Sequence, residues 1–89
     1  MKTIWKFELP TSGNVDIPKD YEVLEVAAQG GNLCLWALVD PEAERVSRSF
    51  PIYGTGHQIK NSKDLVHIGT AHFEKQALVF HVFEDHQNQ

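Results

Sequence analysis

Prolines and glycines cut this chain into pieces too short for helices and well matched to strands. Pro10, Pro18, Pro41 and Pro51 punctuate the first half, and most of the six glycines fall between stretches that alternate polar and apolar residues. Proline removes an amide and clashes with the preceding helical turn, whereas glycine supplies the positive φ that tight turns need. Length adds a second constraint, because 89 residues form one small domain that buries only about 60–65% of its unfolded surface. The expected fold is all-β: about six to seven short antiparallel strands over residues 1–84, arranged as a small sandwich or partly open barrel with little or no helix. Residues 85–89 are expected to form a flexible tail.

Individual strands follow from a period of two. Thr3–Leu9 sets Trp5, Phe7 and Leu9 on one face and Lys6 and Glu8 on the other, the pattern of a half-buried strand. Val15–Ile17 reads as a short strand ended by Pro18. Tyr21–Gln29 and Leu33–Asp40 form the clearest hairpin, because Gly30-Gly31-Asn32 suits a tight primed turn. Its pairing puts Leu24, Val26 and Ala28 with Leu33, Leu35, Ala37 and Val39 on a core face. The opposite face carries Glu25, Trp36 and Leu38, more apolar area than a solvated face normally holds. Asp40-Pro41-Glu42-Ala43 makes the next turn. The strand over 45–53 points Val46, Phe50 and Ile52 inward, and Arg48 with them, so a bulge, a strand end or a paired arginine is expected there. Pro51 cannot donate to a ladder and marks an edge or a bend. After a polar loop, Lys60-Asn61-Ser62-Lys63-Asp64, a second hairpin joins Leu65–Phe73 to Ala77–Glu84 through Glu74-Lys75-Gln76. With a three-residue turn, Val66, Ile68, Thr70 and His72 share a face with Leu78, Phe80 and Val82, and Gly69 lies opposite His81; a two-residue turn reverses that parity.

Charge is unevenly spread. The net charge is −4, yet Arg45, Arg48, Lys60 and Lys63 lie in a stretch without a carboxylate, while residues 21–44 carry five acids and no base. A basic island of this size suits a small anionic ligand better than a nucleic-acid duplex, which needs a broader basic face. Cys34 is the one cysteine, so neither an intramolecular disulfide nor a cysteine-only zinc site fits within one chain. Its apolar setting reads as a buried small hydrophobe. No apolar run reaches the roughly 20 residues that span a bilayer, and the alternating start lacks the apolar block of a signal peptide. A soluble protein of the cytoplasm is the expectation.

Four blocks in order, Ile4-Trp5-Lys6-Phe7-Glu8-Leu9, Leu35-Trp36-Ala37-Leu38-Val39-Asp40-Pro41, Ile52-Tyr53-Gly54-Thr55-Gly56-His57 and Leu78-Val79-Phe80-His81-Val82-Phe83-Glu84, resemble a family of short proteins of unknown function found in bacteriophage and prophage genomes. The resemblance covers nearly the whole chain. It implies a protein made in an infected bacterial cytoplasm, with an accessory role such as sequestering a host signalling nucleotide or blocking a host defence protein.

Within that frame the residues nominate a binding protein rather than an enzyme. Gly54-Thr55-Gly56-His57 can aim amides and a hydroxyl at a phosphate, with Arg45, Arg48 or Lys60 neutralising charge and Tyr53 or Trp36 stacking on a base. The same glycines also suit a plain turn closed by its own threonine. His57, His67, His72, His81 and His86 lack the close spacing of zinc sites, and no cofactor is expected. Ser47 and Ser49 lack a nucleophile elbow. Trp36, Leu38 and Glu25 mark an oligomer surface. The alternatives are an inhibitor docking on a host protein through the acidic Tyr21–Glu44 hairpin, and a minor virion protein.

Overall fold

The protein's structure, a computed structural model, describes residues 1–60 and 62–86. It contains eight strands: β1 (Thr3–Glu8), β2 (Asn14–Pro18), β3 (Glu22–Gln29), β4 (Asn32–Val39), β5 (Arg45–Ser49), β6 (Ile52–Gly54), β7 (Leu65–Phe73) and β8 (Leu78–Asp85). Among the described residues the helical content is two single 3-10 turns, at Ser62–Asp64 and Glu74–Gln76. Three antiparallel sheets result, ordered β1-β4-β3, β2-β5 and β6-β8-β7. β3 packs on β7 and β5 lies against β8. The shortest dimension is 17 Å, which accommodates two sheet layers about 10 Å apart.

The strand over 45–53 breaks at Phe50-Pro51, so its first half pairs with β2 and its second half with β8. Pro51 has no amide for a continuous ladder, and its carbonyl accepts from the Phe83 amide at 3.0 Å. Phe50, fully buried, donates its amide to Gly13 O at 2.7 Å. Gly13 has φ +76°, and a Cβ there would collide with the Phe50 carbonyl. This turn therefore needs glycine for both its backbone angle and its space.

The core gathers Leu9, Val15, Ile17, Val26, Leu35, Ala37, Val39, Phe50, Ala71 and Val82. Gly30 and Gly31, with φ of 60° and 83°, close the β3–β4 hairpin between the paired residues Gln29 and Asn32. The expected core face holds for Val26, Ala28, Leu33, Leu35, Ala37 and Val39. It fails at Leu24, because a bulge between Val23 and Glu25 puts Val23 opposite Ala37 and leaves Leu24 44% exposed.

The β7–β8 hairpin departs further from the three-residue reading. Phe73 pairs with Leu78, so four residues make the connection, with Ala77 in the left-handed region at φ 54°. That extra residue reverses the parity: Phe73, Ala71 and Gly69 share the inner face with Leu78, Phe80 and Val82, and Thr70 rather than Gly69 faces His81. A bulge at Ile68 then returns His67 to the face of His81. The expected tail from residue 85 is corrected at its start. Asp85 ends β8, and the His86 amide donates to Asp64 O at 2.8 Å. Asn61 and residues 87–89, which complete the expected loop and tail, lie outside the described residues.

Candidate functional site

Arg48 occupies an apolar-facing position of β5, beside Val15 of β2, and the resulting burial of charge requires a counterion. β8 supplies one. Arg48 Nη2 lies 3.5 Å from Glu84 Oε2, with the two side chains 21% and 14% exposed. The Tyr21 hydroxyl donates to the same carboxylate oxygen, and His86 Nε2 sits 3.1 Å from Oε1. The guanidinium also covers the Tyr21 ring at 5.7 Å, a cation–π arrangement that holds it in place. Nη2 is buried and, despite the ion pair, has no partner in hydrogen-bond geometry. Arg48 thus keeps donor capacity that Glu84 leaves unused.

Around this pair the sheets fork. Beyond the Phe83–Pro51 rung, β5 swings to β2 while the end of β8 stays with β7. A cleft of about 360 Å³ opens between them, lined by Lys19, Asp20, Tyr21, Val46, Ser47, Arg48, Ser49 and Asp85. A second cleft of about 290 Å³ shares Asp20, Tyr21 and Arg48 with the first. The β2–β5 register fixes what the β5 edge offers. Phe50 N bonds Gly13 O and Lys19 N bonds Glu44 O, so residues 46 and 48 make the hydrogen-bonded pairs to β2. By the alternation of an antiparallel ladder, the backbone groups of Ser47 and Ser49 point away from β2, to the edge that lines the cleft. Lys19 reaches Glu44 at 3.8 Å, but both side chains are mostly exposed, so that pair holds the ammonium weakly. Asp20 takes φ 62° at the same place, a conformation Asp tolerates better than most residues.

The structure distributes the remaining nominated residues elsewhere. Arg45 lies on the other side of β5 from Arg48 and stacks over Trp5 at 5.0 Å. Strand parity therefore separates two arginines expected in one site. The Gly54–His57 segment is a closed turn: His57 N donates to Gly54 O at 3.1 Å, and the Gly54 amide donates to His57 Nδ1 at 3.1 Å. Of its two glycines, Gly56 alone has positive φ, 91°. Thr55 Oγ1 meets His81 Nε2 at 2.9 Å, His81 Nδ1 meets Thr70 Oγ1 at 3.1 Å, and Thr70 Oγ1 meets His67 Nε2 at 2.9 Å. This chain of bonds crosses the outer face of β6-β8-β7 and uses the groups of that face on one another. Tyr53 packs edge-on against Phe83 on the same face. Lys60 is exposed.

Trp36 and Leu38 are half-buried on the outer face of β1-β4-β3, where Glu25 pairs with Trp36. Reading the sequence did not find Lys19, Asp20, Tyr21 or Glu84 as neighbours of Arg48. The one available signal was the charged residue at an inward position of β5. Among the described residues, no group of three or more His, Cys, Asp or Glu side chains is placed to hold a metal ion, and no helix is long and apolar enough to cross a membrane.

A domain of unknown function, DUF7352, matches residues 1–89. The chain belongs to that family. No curated protein and no solved structure matches it. With the whole length inside one family domain, the fork cleft belongs to that domain rather than to an appended segment.

Proposed function

We propose that this DUF7352 protein is a non-enzymatic binding module that sequesters a small anionic ligand in the cleft where β5 and β8 part. The observation that carries the reading is the convergence on one 360 Å³ cleft of Arg48, Lys19, two serines and the open β5 edge. That volume lies within the range of small-molecule sites, roughly 300–1,000 Å³. Folding also changes the ligand class inferred from the linear charge map. Asp20 and Asp85 line the cleft with the cations, so the favoured ligand pairs an anionic group with hydroxyl or amino donors, as a nucleotide does. Its phosphate would meet Lys19, Arg48 and the open backbone amides of Ser47 and Ser49 on the β5 edge, and its donor groups would meet the carboxylates. The sequence blocks that resemble phage and prophage proteins support capture in a host bacterial cytoplasm, with a signalling nucleotide as the preferred cargo.

Native mass spectrometry of gently purified protein, followed by calorimetric titration with adenosine nucleotides and cyclic dinucleotides, tests this reading. Lys19→Ala and Arg48→Ala should each weaken binding at least about tenfold, since a charge-assisted hydrogen bond contributes roughly 1.5–3 kcal/mol. Arg48→Ala also leaves Glu84 without its counterion, so Lys19→Ala, at an exposed position, serves as the variant of unchanged fold. A clean apo mass together with no heat from any of these probes would remove the cleft from consideration as a nucleotide site.

A further inference from the structure

Independently of any cleft ligand, the outer face of β1-β4-β3 carries a charge arrangement suited to a second copy of this chain. The register aligns its side chains in rungs. Lys6, Trp36 and Glu25 occupy one rung across β1, β4 and β3, and Ile4, Leu38 and Glu22 occupy the next. Ile4 is 57% exposed, and Lys6, Glu22 and Glu25 are exposed. The face is thus an apolar stripe, Ile4–Leu38–Trp36, with Lys6 on its β1 side and glutamates on its β3 side; Glu8 shares the outer parity of β1 one rung further along, beside Cys34.

We infer that two copies pack these faces together about a two-fold axis running along β4. Such an axis lays β1 of one copy over β3 of the other. Lys6, exchanging the Gln29 Oε1 to which its Nζ donates at 2.8 Å within the chain, then meets the partner copy's Glu25 at two equivalent places, and Trp36, on the axis, meets its own counterpart. Lys2, on the outer parity one rung beyond Ile4, helps bracket the opposing Glu22. A two-fold axis running across the strands instead sets Lys6 on Lys6 and Glu25 on Glu25, so the charges select one axis and reject the other. Packed sheets cross at about −30°, which keeps the pairing closest in register near Trp36. A face three strands wide and eight residues long measures about 15 by 26 Å. That is about 400 Å² per copy and about 800 Å² in all, below the roughly 1,200 Å² at which stable interfaces begin, so the dimer is a weak one that forms at high concentration and dissociates on dilution.

Sedimentation equilibrium over a concentration series, with Trp36 emission read in parallel, provides the test. The wild-type chain should associate to a dimer and no further, with a blue shift in emission. Lys6→Glu and Glu25→Lys should each raise the dissociation constant by about tenfold to a hundredfold, because each substitution acts twice across the axis. The decisive step is to mix them. The Lys6→Glu chain presents glutamate at both positions and the Glu25→Lys chain presents lysine at both, so an equimolar mixture should regain the dimer. The double variant, Lys6→Glu with Glu25→Lys, should regain it as a homodimer. Circular dichroism melts of each variant separate loss of association from loss of fold. A wild-type chain that stays monomeric up to about 1 mM, association that ignores both substitutions, or a mixture that fails to recover while its components are folded would each overturn the inference.

Discussion

The two long hairpins, β3–β4 and β7–β8, share a plan: each has two strands of eight or nine residues and one bulge in its first strand. They differ in what fixes their geometry. The first closes on Gly30-Gly31, where an added Cβ at either residue would meet nothing within 4 Å. Its glycines therefore answer to backbone angle alone. The second closes on Ala77, an L-residue with a side chain held at φ 54°, and depends on a glycine far from its turn. A Cβ on Gly69 would lie 2.6 Å from Val26 Cβ and 2.9 Å from Val26 Cγ2. Gly69 is where the second hairpin rests on the first. One hairpin is specified locally, and the other by its contact with its neighbour.

The comparison can be tested at three positions. Gly69→Ala should have the largest effect, about 1–3 kcal/mol of destabilisation by overpacking, read from urea denaturation. Val26→Gly, which removes both the Cβ and the Cγ2 that a Gly69 side chain would meet, should couple to it, and a double-mutant cycle without coupling would break the proposed contact. Gly30→Ala should cost about 1–2 kcal/mol, the penalty of a left-handed L-residue, and leave the rest of the fold unaltered in an NMR correlation spectrum. Ala77→Gly should have the smallest effect and the opposite sign. Relief of the left-handed alanine exceeds the added chain entropy by about 0.5 kcal/mol, so the thermal midpoint should rise slightly. Equal costs at Gly30 and Gly69 would erase the distinction between the two hairpins.

That distinction also explains how much of the fold was legible beforehand. The Trp5–Leu9 alternation, the Pro18 stop, the Gly30-Gly31 turn and the bend at Pro51 all express short-range stereochemistry, and each reads directly from the residues. The Asp40–Ala43 turn does too, with Ala43 N bonded to Asp40 O at 3.0 Å and Glu42 N to Asp40 Oδ1 at 3.0 Å. Bulges do not read this way. Leu24 and Val23 differ too little in character to say which one turns inward, and no glycine or asparagine announced the left-handed residue at 77. The site followed the same division. The inward position of Arg48 flagged a paired arginine, but Glu84, Tyr21 and Lys19 come from three other parts of the chain, and only tertiary contact joins them. Of the four cations of the basic island, Arg48 alone lines the cleft, and β8 brings Glu84 and Asp85 to it.

Cys34 is 1% exposed although β4 directs it to the outer face. Lys6 Nζ donates to Gln29 Oε1 at 2.8 Å, and the register places Cys34 midway beneath that bridge, flanked by Glu8 and Ala27. The chain therefore carries its own shutter over a single thiol. A disulfide reagent can label Cys34 only as often as the shutter lifts, so the labelling rate counts openings of the Lys6–Gln29 bridge without any engineered probe. A second molecule seated on the β1-β4-β3 sheet would slow the count in proportion to the time it stays.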